Sequence, residues 1–411
     1  MRYPIAAKET TPGCTHTLKL SLNPSNMANK TYSPVVQELI DMIAKNGWED
    51  KFRKALDHVH SLNVVEYENI KTLDDYYDWC ESNLHWVPKE DPEGDVVYQH
   101  VTMFYFLLDQ SPVKELQTPI IPSRLKDNAM PPLTPLSAWM RKFVISLGQW
   151  MDTPESLTDD AVKSYYDSPR YNMSDYDMPN GGWKTFNQFF ARNVKPGYRP
   201  IAAVTDDHVI VSPADSTNDG QWEVNADSRV NIKGLQWSIE ELLEGSDYKD
   251  DFAGGIWIHQ FLNTTDYHRQ HAPVGGKVIE ARVLQGATWL GVEAVPIEGD
   301  TAGRRHIVRR KLNALDEAGY QFLQTRGLIV IQSKIGKVAI LPMGMAQVSS
   351  IVVTAEKGVT LRKGEEISYF QFGGSDIVML FQRDSNVSIT AQPGVHYKVG
   401  TRIARAYPAG E

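Results

Sequence analysis

The sequence predicts an α+β protein, with a helical N-terminal domain and connecting segment over residues 1–182 and a mostly β, mixed catalytic domain over residues 183–411. Three observations carry that division. Apolar residues recur at helical spacing through the first third. Pro, Asp, Tyr and Ser crowd the stretch 152–182. Beyond Thr185, short β-prone runs dominate.

Taken in order, Ser33 before Pro34 marks a helix start, Val36, Leu39, Ile40 and Ile43 supply its apolar face, and Gly47 marks its stop. Phe52, Ala55, Leu56 and Val59 repeat the pattern on a second helix. Thr72 with Asp75 reads as a capping box ahead of Tyr76, Tyr77 and Trp79. Two further helices are expected over Val96–Leu108 and Leu136–Met151, and Asp152–Gly182 as a long connection with short ordered pieces. Thr185 caps a short aromatic helix that Pro196 and Gly197 follow. Strands are expected at His208–Val211, Val278–Val283, Gly327–Gln332, Lys337–Leu341, Ser349–Thr354 and Tyr369–Phe372, with turns at Ser333–Gly336 and Lys363–Glu366.

Composition narrows the function. An apolar fraction of 42% and a charged fraction of 23% suit a globular protein with a real core. A formal charge of −9 argues against a nucleic-acid binder, and none is expected as partner. The basic run Arg304–Lys311 reads first as a solvated loop or strand edge, and second as a site for an anionic substrate or lipid surface. Two cysteines, Cys14 and Cys80, make no disulfide framework; with no signal-peptide core and no apolar run of bilayer length, a cytoplasmic location is expected. The glycosylation pattern at Asn29 is then a chance match.

Reactive residue types gather in three segments. Ser375 is the only nucleophile of a Gly-Gly-Ser tripeptide set between strand-like runs. His268 and His271 stand three apart, so both line one face if their segment is helical or tightly turned. Asp215 falls at a turn after a strand ending at Val211. A serine needs a base, and a base needs an orienting carboxylate. Singly, each residue also has a plain reading: a turn aspartate, satisfied histidines, a turn serine. No G-x-S-x-G elbow surrounds Ser375, which speaks against an ordinary serine hydrolase.

The linked motifs Phe186–Arg192 with Arg199–Ile201, Ser212–Asp215, Asp266–Pro273, Lys363–Glu366 and Phe370–Ser375 resemble, in order, those of the phosphatidylserine decarboxylase family of pyruvoyl enzymes. The helical extension is similar in layout to that family's soluble branch, which includes a fungal tryptophan decarboxylase. The resemblance implies that Asp215 orients His271, that His271 takes the proton of Ser375, and that the serine oxygen attacks the carbonyl of Gly374. Gly373 and Gly374 leave that path open. An ester forms, elimination releases the upstream chain, and the dehydroalanine hydrolyses to a covalent pyruvoyl group. The products are a large chain ending at Gly374 and a small chain of 411 − 374 = 37 residues. The pyruvoyl group is the expected cofactor, forming an imine with the substrate amine and serving as electron sink without pyridoxal phosphate or metal. His268 is the implied proton donor after carbon dioxide leaves, with His271 as second candidate.

Two positions depart from the commoner family pattern: Ser216, where Gly is usual, and Asp376, where Thr is frequent. Ser216 implies a different turn. Asp376 is either a solvated or hydrogen-bonded strand residue or one that contacts a substrate ammonium or tunes processing. Trp289 either stacks on a substrate ring or packs in the core. The expected substrate is a free, aromatic L-amino acid; phosphatidylserine is the alternative, with Tyr76–Trp79 or the basic run as membrane contact. A catalytically idle scaffold is the third reading, opposed by the presence of all four reactive residues. The resemblance also implies a homodimer.

Overall fold

Helices form where apolar spacing and end signals agree. The computed structural model describes residues 30–122, 132–232, 234–309, 319–345, 350–372 and 374–408, so Cys14, Asn29, Arg310, Lys311, Ser349 and Gly373 lie outside the described residues. The helices are α1 (Pro34–Asn46), α2 (Glu49–Ser61), α3 (Leu73–Asn83), α4 (Val96–Leu108), α5 (Pro135–Met151), α6 (Asp159–Asp167) and α7 (Phe186–Phe190). Pro34 occupies the first turn of α1, and Gly47 closes it at φ 63°. Ser33 does not cap through its side chain; its backbone N–H donates to Glu81 instead. The Thr72–Asp75 box makes both of its reciprocal bonds.

The connection 152–182 holds the short ordered pieces expected of it. One of them is a true helix, α6, capped by Thr158 and carrying Asp159 and Asp160 in its first turn. Those acidic and hydroxyl residues read as loop composition, yet they are what a helix N-terminus favours. The helix buries Tyr165 against Phe189 and Tyr171. Helix α4 is apolar nearly all round because it is covered on several sides, burying Phe104, Tyr105, Phe106, Leu107 and Leu108. It packs on α2 and on the strand pair Val292–Pro296 and Arg305–Arg309.

The second part is built on strands β1 (Ser216–Glu223), β2 (Ile256–Leu262), β3 (Arg269–His271), β4 (Gly276–Leu284), β5 (Arg326–Ser333), β6 (Gly336–Met345), β7 (Thr360–Leu361), β8 (Glu366–Phe370), β9 (Gly374–Phe381) and β10 (His396–Tyr397). An eight-stranded sheet runs β7-β4-β5-β6-β9-β2-β1-β10, with antiparallel pairing throughout. The hairpin between β5 and β6 turns at Ser333–Gly336. A smaller sheet pairs β8 with β3 on one side and Ile351–Val353 on the other. Strand β9 is central and covered on both faces. Ile377, Met379 and Phe381 point one way, and Val378 and Leu380 the other, all fully buried. Val378 and Leu380 join a core with Trp237, Trp257, Phe322 and Met343. Ser33–Glu411 packs as one compact unit.

Gly374 and Ser375 are not part of a link between strands. Both already lie in β9, opposite Met345 and Gly344 of β6. Glycine is tolerated at this strand end, so the ladder begins before the first β-branched residue, where a pattern of apolar residues gives no signal.

Candidate active site

Ser375 sits between two neighbours, with Gly344 of β6 on one side and Leu262 of β2 on the other. Its hydroxyl is buried and makes no hydrogen bond to any described residue. An orphaned buried hydroxyl is costly in a settled structure. Here it belongs to the one serine that follows two glycines, the position to which the resemblance assigns the pyruvoyl group, and the residues fit that assignment.

The approach to Ser375 is held by α7. The Phe372 N–H donates to Asn187 Oδ1 at 3.0 Å, and Asn187 Nδ2 donates to Asp152 Oδ1 at 2.9 Å. The Phe372 ring packs edge-on against Phe186, Phe190 and Trp86 at centroid distances of 5.1, 5.7 and 5.8 Å. Thus the aromatic motif before Arg192 grips the backbone three residues ahead of the serine, and Trp86 brings the helical part to the same spot.

The two histidines are not on a helix. His271 ends strand β3, which pairs with β8, and His268 precedes that strand. The condition for a shared face, a helical or tightly turned segment, is not met: the segment is extended and each ring has its own surroundings. His271 Nδ1 lies 2.8 Å from the Gly364 carbonyl, and Nε2 lies 3.0 Å from the Tyr267 hydroxyl. A carbonyl only accepts, so Nδ1 carries the hydrogen and Nε2 is the basic nitrogen, receiving the tyrosine O–H. Burial pushes the His271 imidazole below its usual range, while the Gly364 carbonyl, Glu366 and Asp215 pull the other way. His268 is wholly buried, stacks on Phe190 at 3.9 Å, and makes no side-chain hydrogen bond to a described residue. Burial first, then the nearby Arg192 charge, holds it well below the ordinary imidazole range. Both rings are neutral near pH 7.

Asp215 is buried, but its carboxylate is held by other groups. Arg199 Nε donates to both of its oxygens at 2.9 Å, Arg199 Nη2 donates to Oδ2 at 2.5 Å, and the Val399 N–H donates to Oδ1 at 2.8 Å. Among the described residues no hydrogen bond joins Asp215 to His271, or His271 to Ser375. The segments are nonetheless neighbours, since the His271 N–H donates to the Pro213 carbonyl at 2.8 Å. Asp215 acts on His271 through space, as one of the groups favouring its protonated form. Ser216 opens β1 with its hydroxyl donating to the Ala214 carbonyl at 3.3 Å.

Three contributors were not singled out by sequence reasoning. Arg199 and Tyr267 both lie inside the quoted motifs, which was the available signal. Lys363 also lies in one; its ammonium donates to the carbonyls of Ala203, Asp206 and Val209 at 2.8, 2.7 and 2.9 Å. That clamp fixes the turn whose next residue, Gly364, orients His271. Gly364 has φ 88°, and a Cβ there would meet Ile201 at 2.5 Å.

Asp376 is neither solvated nor at the surface. It lies fully buried on the opposite face of β9 from Ser375, with Oδ2 accepting from the Tyr320 hydroxyl at 2.5 Å and lying 2.9 Å from His259 Nε2. His259 Nδ1 in turn lies 3.1 Å from Asp219. Nothing in the sequence flagged His259, Asp219 or Tyr320. Trp289 is a core residue beside Tyr320, at a centroid distance of 5.3 Å, and the cleft it lines has a volume of about 10 Å³, room for a water and no ring. In the basic run, Arg304 pairs with Asp300 at 2.7 Å and His306 with Glu66 at 3.1 Å, as befits a strand edge.

Comparison with known proteins matches residues 186–405 to the family model described as phosphatidylserine decarboxylase. Phosphatidylserine decarboxylase proenzyme 3 of Schizosaccharomyces pombe is 33% identical over 59% of this chain and 23% of its own length. A rice proenzyme 2 of the same name is 31% identical, covering 58% of this chain and 36% of its own length, so the match spans barely a third of these relatives or less. Decarboxylase iboD of Amanita muscaria is 28% identical over 66% of this chain and 84% of its own length.

Proposed function

From the chain's place in the phosphatidylserine decarboxylase family, to which it belongs, we propose that it is a self-processing, pyruvoyl-dependent carboxy-lyase, cleaved between Gly374 and Ser375. The observation that carries the reading is the buried, unpartnered hydroxyl of Ser375 behind Gly374, on a strand whose approach is gripped by α7.

His271 is the base for Ser375. Its Nδ1–H is anchored to Gly364 and its Nε2 lone pair is available once the Tyr267 hydroxyl turns away. Asp215, fixed by Arg199, steadies the positive charge that His271 gains. The Ser375 oxygen bonds to the Gly374 carbonyl carbon as the carbon–nitrogen bond breaks, and the proton passes to the freed amine. Elimination then returns the Gly374 carboxylate as the end of the large chain, and water releases the nitrogen as ammonia. A pyruvoyl group at position 375 would supply an electrophilic carbonyl for the substrate amine and an electron sink for loss of carbon dioxide. His268, stacked on Phe190, takes up the proton released by the substrate ammonium and returns it to the former α-carbon.

The substrate is a free L-amino acid, aromatic in side chain. Of the relatives described, the one whose name carries no phospholipid matches the largest share of this chain. Among the described residues no helix is long and apolar enough to cross a membrane. Trp86 of the helical part also reaches the segment before the cleavage site. Phosphatidylserine remains the second reading, favoured by the names of most relatives. The large and small chains stay together as one enzyme, which we place in the cytoplasm as a homodimer. The helical and catalytic regions divide at 182/183.

Intact mass tests the cleavage, and carbon dioxide release from tryptophan, tyrosine, phenylalanine and phosphatidylserine vesicles tests the substrate. Release from an aromatic amino acid is expected. An active chain with the Gly374–Ser375 bond whole overturns the pyruvoyl reading, and release from vesicles alone overturns the substrate.

A further inference from the structure

The polar chain Asp219–His259–Asp376–Tyr320 lies beside the cleavage position and has no part in the chemistry above. It is an unusual thing to find in a core. Trp257 stacks on the His259 ring at an interplanar angle of 7°, and Val378 and Leu380 share the face with Asp376. The strand geometry is shaped to build it. Asp219 is the extra residue of a β-bulge in β1, where the register against β2 shifts between Asn218 and Gly220. The bulge turns Asp219 onto His259. Gly220, at φ 152°, is the position where a side chain would strike the Trp222 ring at 2.9 Å.

Asp376 Oδ2 is doubly engaged, by Tyr320 and by His259, whereas Oδ1 is buried and takes no hydrogen bond from any described residue. A half-satisfied buried carboxylate is among the costlier features a core can carry. Burial lowers the proton affinity of His259, but Asp376 and Asp219 outweigh it, and the imidazole is pushed up to about 9. The groups facing His259 from the packed elements are Asp219, Asp376, Tyr320 and Gln321.

Asp376 is bonded to the residue that becomes the reactive end. Consecutive Cα atoms are about 3.8 Å apart. Cleavage makes position 375 the chain terminus, with Asp376 the next residue along β9. We infer that Asp376 Oδ1 is the anchor for the substrate's primary ammonium group, with His259, Asp219 and Tyr320 as positioning residues that hold the carboxylate in place. This rests on the decarboxylase reading and specifies it: the enzyme selects a cationic amine at this point, whatever side chain the amine carries.

The test uses processed enzyme whose carbonyl is counted with phenylhydrazine on one aliquot and reduced with borohydride on another, so that binding is read on the reduced aliquot without reaction. Calorimetry compares 2-phenylethylamine with its neutral isostere 2-phenylethanol. The wild type is expected to bind the amine at least tenfold more tightly than the alcohol. Asp376→Asn should reduce that preference to within twofold while still splitting before Ser375. Asp219→Asn, remote from the site, should lower it severalfold. A full tenfold preference in processed Asp376→Asn overturns the inference; should that variant not fold, an undiminished preference in Asp219→Asn does so. The two readings fail separately. A wild-type chain without a hydrazine-reactive carbonyl overturns the decarboxylase reading, whereas a carbonyl-bearing chain that binds amine and alcohol equally overturns this one.

Discussion

Replacing Asp215 by Asn removes one charge and keeps the shape, and the structure says where the cost falls. The Arg199 and Asp215 side chains are 5% and 4% exposed, and three guanidinium contacts converge on the carboxylate. Asp215→Asn leaves Arg199 with Asp175 at 3.1 Å as its remaining ionic partner. Breaking a buried pair by removing one member costs about 3–5 kcal/mol, mostly as the penalty on the abandoned charge. For a chain of this length the unfolding entropy is roughly 0.8 kcal/mol/K, so about 3 kcal/mol lowers Tm by ~4 °C. Arg199→Met should cost a similar amount, and the double variant, with neither charge, should return to within ~1 kcal/mol of wild type. Self-cleavage should not return. Asp215 is one of the groups favouring protonated His271, so the double variant should cleave slower by about 10² or more, the low end of what a positioned base contributes. Calorimetry and a time course on denaturing gels read the two effects apart. A double variant that cleaves at the wild-type rate would show that Asp215 serves only as the partner of Arg199.

Ser375→Ala and His271→Ala should both remain uncut on a denaturing gel, whereas His268→Ala should split normally and lose about 10²–10⁴ in decarboxylation rate. Full turnover by His268→Ala would remove it as proton donor. Gly364→Ala forces a side chain at φ 88° and 2.5 Å from Ile201, so it should cost a few kcal/mol and slow cleavage by displacing the carbonyl that holds His271. Adding Ile201→Ala should recover part of both losses; no recovery would place the fault in the backbone strain alone. His259 carries a proton up to about pH 9 when folded and up to about 6.5 when unfolded, so its contribution is complete below about 6.5 and lost as pH rises through 9. The urea midpoint of His259→Gln should therefore fall less steeply than that of wild type across this window.

What was legible in the sequence was whatever short segments decide for themselves. The Thr72–Asp75 box, Pro34 at a first turn, Gly47 after a last one and the Ser333–Gly336 turn are local geometry written in adjacent residues, and each forms. The reactive residues were legible for a related reason, since each sits in a compact motif. Their mutual arrangement was not. Spacing of three between His268 and His271 means one face on a helix, but the segment is pulled extended by pairing with β8, a partner about a hundred residues away. Asp215 carries no mark that Arg199 will take its oxygens, because that contact depends on how two loops meet. Short ordered pieces were legible in 152–182, but not that one is α6, whose acidic first turn and hydroxyl cap are helix signals that share their residue types with loops. The chain Asp219–His259–Asp376–Tyr320 is the extreme case. Its members come from β1, β2, a turn before β5 and β9, and a bulge that shifts register by one residue is needed to join them. A period-two reading of β1 assigns Asp219 to one face or the other, and no pattern on that strand announces the extra residue. Only Asp376 stood out beforehand, through its departure from the commoner residue after the serine. The rest of the chain is what gives that departure a physical meaning, because a carboxylate placed there without His259 and Tyr320 would be a buried charge with nothing to hold it.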